Sequence, residues 1–360
     1  MTTASLRATS AAEVQEAVSA PGRLLPRGGG SKPALSSADG ATTLDVSGLA
    51  GVLEYDPGEF TFTALAGTPL LEVETLLSKN GQYLPFDPPL ARAGATLGGT
   101  VAAGLNGPGR NRYGGVRDFI LGVRFVDGLG NLVRGGGKVV KNSAGFDLPK
   151  LMVGSLGRLG VLVEMSFKVF PAPKDYRTLV VDFSGLEAAL AAMVRLSMAP
   201  FDVEALDLVT PSTLAVRLGG LPHALPRRLE RLEAFFGRAG ETLAGAKERA
   251  FWQEALEFGW VPEGWALVKV PLTPKRIPAL DSRLEEMGAK RRYSVAGNLA
   301  WVALPRTDTA GLEHLLTASG LPGLLLFGPS GQPQLGAAVG RGFVARVKTA
   351  LDPDKKFLEM

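Results

Sequence analysis

Three adjacent glycines in the stretch PRGGGSKPALSS (residues 26–37) form the pattern best suited to chemistry in this sequence. Consecutive glycines let a backbone turn through positive φ and expose successive N–H groups in a concave arrangement that suits a diphosphate. Hydrogen bonds to a charged group contribute roughly 1.5 to 3 kcal/mol each, so several such donors could hold a nucleotide cofactor. The same run fits a plain surface turn equally well, and the loop alone does not decide between the two.

Two further glycine-rich stretches favour a cofactor. DPPLARAGATLGGTVAAGLNGPGRNRYGG (residues 87–115) has small side chains at a density that lets a flat ring system or a ribityl chain lie against backbone, and GSLGRLGVLVE (residues 154–164) leads into a strand. The Walker A order Gly-Lys-Ser/Thr is missing, and no G-x-G-x-x-G run opens a helix. Three such loops in one region argue for one large, elongated cofactor that is neither a nucleoside triphosphate nor a Rossmann-bound NAD.

Composition limits the remaining classes of function. The chain has no cysteine, which excludes disulfides, zinc–thiolate sites and iron–sulfur clusters held by its own residues and indicates a reducing compartment. Its 39 Lys and Arg against 35 Asp and Glu give a net charge of +4 without a basic run, so we expect no nucleic-acid partner. No apolar stretch suits a signal peptide or a membrane span, and we expect a cytoplasmic protein.

Local patterns predict the elements that must position the loops. Ser10 followed by Glu13 predicts a capped helix, residues 51–67 alternate like a hairpin, and Thr68 is the predicted cap of the next helix. Apolar stretches between residues 90 and 160 alternate with glycine turns, which is typical of an antiparallel or mixed sheet. After Pro173, strand-like and helix-like runs follow in the order β-α-β-β-α-β of ferredoxin-like layers. The sequence therefore predicts an α+β fold with a boundary near residue 172.

Four blocks of the first half resemble, in order and spacing, the FAD-binding domain of the vanillyl-alcohol-oxidase family, also called the PCMH type. They are PRGGGSK, ATLGGTVAAG, RYGGVRDFILGVRFVDGLGNLVRGG and KNSAGFDLPKLMVGSLGRLGVLVEMSFKVFP, and the resemblance covers about residues 20–172. It implies a PCMH-type two-part FAD-binding domain over residues 1–172 and a ferredoxin-like α+β cap domain, for substrate or partner, over residues 173–338. Residues 339–360 would then form a C-terminal segment that returns to the FAD-binding domain.

The resemblance also implies FAD as the cofactor and assigns roles to loop residues. The stretch from Pro26 to Ser31, with Gly28, Gly29 and Gly30 inside it, would hold the diphosphate through its backbone N–H groups. Lys32 or Arg27 would supply partial charge balance. The flavin and its ribityl chain would be lined by Pro88, Thr96, Gly98, Gly99, Ala103 and Gly104. The segment beneath the cofactor would include Tyr113 and Gly114. The adenine side would be flanked by Gly154, Gly157, Gly160 and Val161.

The sequence departs from the family pattern at two places. Leu156 and Arg158 stand where family members commonly have Glu and Thr, and LEM replaces the usual Asn-Pro-Gly after Phe357. Covalent flavins of this type are attached through histidine or cysteine. Since the chain has no cysteine, and its two histidines, His223 and His314, lie outside the predicted FAD-binding domain, we expect noncovalent FAD.

The sequence does not identify catalytic residues. Oxidation of a 2-hydroxy acid needs a base, often histidine, but the histidine-rich motif of relatives that act on lactate or glycolate is absent. We interpret His223 as a loop residue and His314 as a helix-surface residue. Arg291, Arg292 and Tyr293 could meet an anion, although a solvated charged strand end is the favoured interpretation. We interpret the four tryptophans as core or interface residues of the cap domain rather than as a substrate cage. They are Trp252, Trp260, Trp265 and Trp301.

A short family member without that histidine motif resembles the E subunits of glycolate oxidase. The resemblance implies an FAD-binding subunit of a glycolate (2-hydroxy acid) oxidase or dehydrogenase complex, whose partners are a catalytic flavoprotein subunit and an iron–sulfur subunit. Such a chain would pass electrons to its partners and would reach a membrane only through them. Two alternatives stay open: a self-sufficient FAD-dependent oxidase of another alcohol or sugar acid, and a cofactor-free scaffold subunit on the same fold.

Overall fold

A computed structural model of the chain describes residues 5–36, 40–137, 146–210, 212–329, 331–338 and 340–359. Its strands are β1 (Ser5–Arg7), β2 (Leu24–Arg27), β3 (Thr42–Asp45), β4 (Val52–Asp56), β5 (Thr61–Leu65), β6 (Gln82–Tyr83), β7 (Ile120–Val126), β8 (Leu132–Gly136), β9 (Val161–Lys168), β10 (Phe170–Pro171), β11 (Asp175–Asp182), β12 (Ala205–Thr210), β13 (Thr213–Gly220), β14 (Glu241–Ala244), β15 (Trp265–Pro271), β16 (Lys290–Ser294), β17 (Leu299–Pro305), β18 (Pro322–Phe327) and β19 (Gln334–Gly336).

Its α-helices are α1 (Ala11–Ser19), α2 (Leu70–Ser78), α3 (Leu97–Ala103), α4 (Arg110–Tyr113), α5 (Val116–Phe119), α6 (Leu148–Met152), α7 (Leu186–Ser197), α8 (Leu225–Phe236), α9 (Gly245–Leu256), α10 (Ile277–Glu286), α11 (Thr309–Ala318) and α12 (Arg341–Leu351). Of the helices in the described ranges, none has the length and apolar content that crossing a bilayer requires.

The chain forms two compact units. The first consists of Met1–Asn106, Gly114–Ala172 and Gly340–Met360, and the second of Gly107–Tyr113 and Pro173–Val339. The C-terminal residues from 340 onward therefore belong to the glycine-rich unit. Residues 339 and 360, the ends of the predicted C-terminal segment, lie outside the described residues, and the assignment of the three segments to cofactor and partner stays a prediction.

The first unit contains three sheets. The parallel sheet has the order β1-β3-β2, the antiparallel sheet has the order β4-β5-β9-β7-β8, and β10 pairs with β6. Apolar residues of α1, of the parallel sheet and of β9 share one core, which includes Val14, Val18, Leu24, Leu44, Val161 and Val163. The end of β2 and the start of β9, where two of the glycine loops lie, are therefore fixed to the same core.

Local signals at the start of the chain act as expected, and one signal further along does not. The Ser10 hydroxyl accepts a hydrogen bond from the N–H of Glu13 at 3.2 Å and caps α1. The predicted hairpin is the antiparallel pair β4–β5. The prediction that Thr68 caps α2 is wrong, since Pro69 is the N-cap and the buried Thr68 hydroxyl donates to the Leu65 carbonyl at 2.7 Å. The Thr68 side chain therefore stabilises the loop between β5 and α2 and does not cap the helix.

The second unit is built on one antiparallel sheet of nine strands, in the order β14-β11-β13-β12-β16-β17-β15-β18-β19. The elements β11-α7-β12-β13-α8-β14 follow the ferredoxin-like order, and β15-α10-β16-β17-α11-β18 repeat it. The two copies are joined through β12 and β16, where Leu208 pairs with Tyr293. The ferredoxin-like prediction is confirmed, and the duplication into a single sheet is an addition to it.

The expectation of a solvated strand end at residues 291–293 is wrong. Arg292 lies inside the unit with Nε 2.8 Å from Oδ2 of Asp207, and these side chains are 7% and 0% exposed. Arg291 donates to both carboxylate oxygens of Asp281 at 2.7 Å, and Tyr293 donates to the same carboxylate at 2.6 Å. Because β16 is a central strand, its polar side chains need partners within the protein. These arginines are therefore occupied by buried ion pairs.

Two of the four tryptophans of the second unit lie in its core, Trp260 and Trp265 are half-buried, and both histidines are exposed. Trp252 and Trp301 are buried core residues, and the Trp252 indole donates to the Thr178 hydroxyl at 2.7 Å. His223, in the turn before α8, and His314, on α11, are exposed. The structure adds no catalytic assignment to either histidine.

Candidate cofactor site

The three glycine loops of the first unit meet at one pocket. It encloses about 680 Å³ of empty space, open solvent included. Its lining consists of Pro26, Arg27, Gly28, Gly29, Gly30, Ser31, Lys32, Leu35, Ser36, Val46, Ala66, Thr96, Gly98, Gly99, Ala102, Ala103, Leu156, Gly157, Gly160, Val161 and Leu162.

The first loop, residues 28–32, presents unpaired backbone donors to this pocket. β2 ends at Arg27, and the chain regains repetitive hydrogen bonding only at the short 3-10 turn Pro33–Leu35. Among the described residues, no protein acceptor receives a hydrogen bond from the N–H groups of residues 28–32. Five successive donors without protein partners suit an anionic group with several acceptor oxygens, such as a diphosphate.

Close backbone contacts explain why the loops are made of glycine. A Cβ atom on Gly29 would lie 1.8 Å from the carbonyl oxygen of Gly94 in the second loop. The third loop touches the strand that leads into the first, because a Cβ on Gly157, which has φ +70°, would lie 3.3 Å from the ring of Pro26 in β2. The contact with Gly94 leaves no room for a side chain at Gly29.

The pocket contains one buried cation that lacks a carboxylate partner. Lys32 is 6% exposed, and among the described residues the partner of its Nζ is the Ser31 hydroxyl at 2.9 Å. Burial lowers the pKa of Lys32 to about 8. Arg27, the other charged residue in the lining, is more exposed and lies 3.7 Å from the carboxylate of Asp45. An anionic ligand would offset the desolvation of Lys32, so the residues present fit a dinucleotide.

The sequence-predicted site residues divide into two groups. Those that the structure brings together in the lining are Pro26, Arg27, Gly28, Gly29, Gly30, Ser31, Lys32, Thr96, Gly98, Gly99, Ala103, Gly157, Gly160 and Val161. Those that lie outside the lining are Pro88, Gly104, Tyr113, Gly114 and Gly154. Tyr113 belongs to the second unit, where its hydroxyl lies 3.4 Å from Oε1 of Glu204. A cofactor contact by any residue of either group stays a prediction.

Sequence reasoning missed seven residues of the lining: Leu35, Ser36, Val46, Ala66, Ala102, Leu156 and Leu162. Ala102 and Leu156 lie inside the glycine-rich stretches, and the small-residue density around Ala102 was a usable signal. Val46 and Ala66 directly follow β3 and β5, and only tertiary packing brings them to the pocket. Leu156 has φ +53°, an uncommon backbone conformation for a leucine, and its N–H donates to the Ala102 carbonyl at 2.8 Å.

Comparison with known proteins agrees with this geometry. The sequence profile of a family described as "FAD binding domain" matches residues 3–136. Glycolate oxidase subunit GlcE of Escherichia coli is 34% identical over 342 residues, which cover 95% of this chain and 93% of that protein. Glycolate oxidase subunit GlcD of Bacillus subtilis is 30% identical over 192 residues, 52% of this chain and 41% of that protein.

A solved structure of alkyldihydroxyacetonephosphate synthase superimposes with a TM-score of 0.69, at 16% identity, over 98% of this chain and 76% of that one. The match to the FAD-binding domain and the likeness to GlcE define an FAD-binding protein of the PCMH type, and FAD is its cofactor. The chain belongs to the family of the glycolate oxidase subunit GlcE.

Replacement of Gly29 tests the contact between the first two loops. We expect Gly29→Ala to displace the loop and to weaken FAD binding at least about tenfold, because several charge-assisted hydrogen bonds depend on its position. The dissociation constant is measured by titrating apo-protein with FAD and following flavin fluorescence. The matched control is Gly342→Ala in α12, where nothing lies within 4 Å of the added Cβ and binding should be unchanged. Equal affinities for the two variants would refute the role of this contact.

Proposed function

We propose that this chain is the FAD-binding subunit of a glycolate (2-hydroxy acid) oxidase or dehydrogenase complex. It holds FAD noncovalently and passes electrons to partner subunits. The observation that carries the proposal is the 34% identity to the glycolate oxidase subunit GlcE, which runs through both units and covers 95% of this chain. FAD, when bound, supplies a two-electron acceptor for oxidation of a CH–OH group.

The pocket supports the role proposed for the first unit. The unpaired N–H groups of residues 28–32 would bind the diphosphate, and Lys32 would balance part of its charge. Thr96, whose hydroxyl accepts from the N–H of Gly99 at 3.2 Å, would fix the small-residue helix α3 against the rest of the cofactor. Neither histidine lies in the lining, which supports noncovalent attachment.

The proposed partners are a catalytic flavoprotein subunit and an iron–sulfur subunit. The likeness to GlcD covers about half of this chain and less than half of that protein, so a longer relative that is also named as a glycolate oxidase subunit shares part of this sequence. In the second unit, Arg291 and Arg292 are held by Asp281 and Asp207. All three guanidinium nitrogens of Arg291 have protein acceptors, so Arg291 is a poor candidate for binding a substrate carboxylate, which favours leaving substrate oxidation to a partner. Arg292 keeps one buried nitrogen, Nη2, without an acceptor among the described residues.

The complex is tested by purification under native conditions followed by an absorbance spectrum and an activity assay. We expect flavin in the isolated chain, co-purification with a second flavoprotein and an iron–sulfur protein, and glycolate oxidation only by the assembly. If the isolated chain matches the assembly in glycolate turnover with an artificial acceptor, the subunit role is wrong. Flavin bleaching by another alcohol or sugar acid would indicate a self-sufficient oxidase, and a colourless chain that assembles without FAD would indicate a scaffold.

Noncovalent attachment is tested by acid precipitation of the holoprotein. We expect all flavin absorbance to appear in the supernatant, because the pocket offers neither a cysteine nor a histidine. Yellow colour that stays in the washed precipitate would contradict the prediction.

The pKa of Lys32 predicts how FAD binding depends on pH. Below about pH 8 Lys32 is already protonated in the free protein and attracts the diphosphate, which in turn raises its pKa. Above that pH, binding requires uptake of a proton, so the affinity should fall by at most about tenfold per pH unit. FAD titrations between pH 6.5 and 9.5 measure this slope.

Lys32→Met should weaken binding by about tenfold to a hundredfold at neutral pH and remove the slope, because it deletes the buried cation. The control is Arg27→Met, which removes a half-exposed, ion-paired cation and should leave the slope unchanged. A slope that persists in Lys32→Met would assign the titration to another group.

A further inference from the structure

We propose that residues 348–358, here called the C-terminal latch, hold the FAD pocket in its binding shape, with Lys348 as the positioning residue. The inference rests on the proposed function, because it assigns a role in FAD binding to residues that do not line the pocket. The usual Asn-Pro-Gly after Phe357 is absent from this chain. The latch therefore acts through contacts that are independent of that motif.

Lys348 joins the latch to the third glycine loop. Its Nζ lies 2.7 Å from the carbonyl oxygen of Arg158, 2.5 Å from Oδ2 of Asp352, 3.1 Å from the carbonyl oxygen of Phe357 and 2.9 Å from that of Leu358. Arg158 directly follows Gly157, which lines the pocket. The Lys348 side chain is 6% exposed, so one buried ammonium connects α12, the chain end and the loop.

Asp352 completes the latch from the opposite side. Its carboxylate accepts from the N–H groups of Lys356 at 2.7 Å and Phe357 at 2.9 Å, and its side chain is fully buried. Burial lowers the pKa of Lys348, and the charge of Asp352 opposes that shift. Each charge is therefore the main compensation for burying the other, and the pair fixes the turn between them.

The latch also bonds to the strand that precedes the first glycine loop. The N–H of Leu24 donates to the carbonyl of Lys356 at 2.8 Å, and Leu24 and Phe357 form a parallel bridge. Leu24 begins β2, whose last residue, Arg27, leads directly into residues 28–32. The Phe357 ring is buried in the same core as Leu24 and Val161. One short segment is thus bonded to the strand before the first loop and to the backbone of the third.

A role in binding follows from this arrangement by linkage. If FAD requires the two loops at a fixed separation, any contact that fixes this separation raises the affinity for FAD. Bound FAD must in turn stabilise the contact by the same free energy. A latch that served only general stability would lower the melting temperature when removed, without changing the affinity of the folded protein.

The test compares two variants of the full chain. Lys348→Met combined with Asp352→Asn removes both buried charges together, which avoids leaving one of them unpaired. The control, Lys355→Met, changes a lysine of the same segment that is 69% exposed. We expect the double variant, folded by circular dichroism, to bind FAD about tenfold more weakly and the control to bind like wild type. A folded double variant with wild-type affinity would overturn the proposal.

Amide hydrogen exchange of the wild-type protein decides the matter if the double variant does not fold. We expect FAD to slow exchange at Leu24, Lys356 and Phe357 by about tenfold, because the latch and the ligand stabilise the same loop arrangement. If FAD protects residues 28–32 and leaves these three amides unchanged, the latch proposal fails while FAD binding stands. If the wild-type chain does not bind FAD, the proposed function itself fails.

Discussion

The pocket depends on the direct approach of backbone to backbone between its three loops. At Gly29 the first loop lies so close to the carbonyl of Gly94 that even a methyl group would overlap it. In this loop the N–H groups of residues 28–32 have no protein acceptors among the described residues. Donors of this kind stay paired with water until a better acceptor arrives, and an anion with several oxygens can replace that water at many points simultaneously. The glycine loop can therefore bind an anion through backbone N–H groups that have no acceptor among the described residues.

Buried ion pairs occur in both units, Lys348 with Asp352 in the first among them, and Lys32 is compensated differently. In the second unit Arg292 is matched by Asp207, and Arg217 by Glu248, whose carboxylate oxygen lies 2.8 Å from the guanidinium Nε. In the first unit the Lys32 ammonium is desolvated beside a neutral hydroxyl. A buried pair is already compensated, whereas a buried lone cation gains when an anion binds. An anion in the pocket would therefore compensate Lys32, whereas Asp207 and Glu248 already compensate Arg292 and Arg217.

Much of this could be predicted from sequence because it is encoded locally. The cap at Ser10 needs only Glu13 three residues later, and most of the glycines predicted to bind the cofactor line the pocket. The failures involve distant partners. Thr68 has the sequence of a helix cap, but in the fold its hydroxyl bonds to the Leu65 carbonyl. Arg292 has the sequence of an exposed residue, but in the fold it pairs with Asp207 of the neighbouring strand. Val46 and Ala66 carry no signal, since only the packing of separate strands makes them neighbours of the loops.

Main-chain hydrogen bonds also explain why the third loop can depart from the family pattern. Leu156 keeps a positive φ because its N–H is bonded to the Ala102 carbonyl, and the position of Arg158 is fixed by a bond from Lys348 to its carbonyl oxygen. Neither bond uses the side chain that differs from the common Glu and Thr. A loop whose path is set by main-chain bonds at both residues can change these side chains and still place Gly157 against Pro26. The Glu and Thr side chains that are common in the family and absent from this chain are therefore not needed to shape this wall of the pocket.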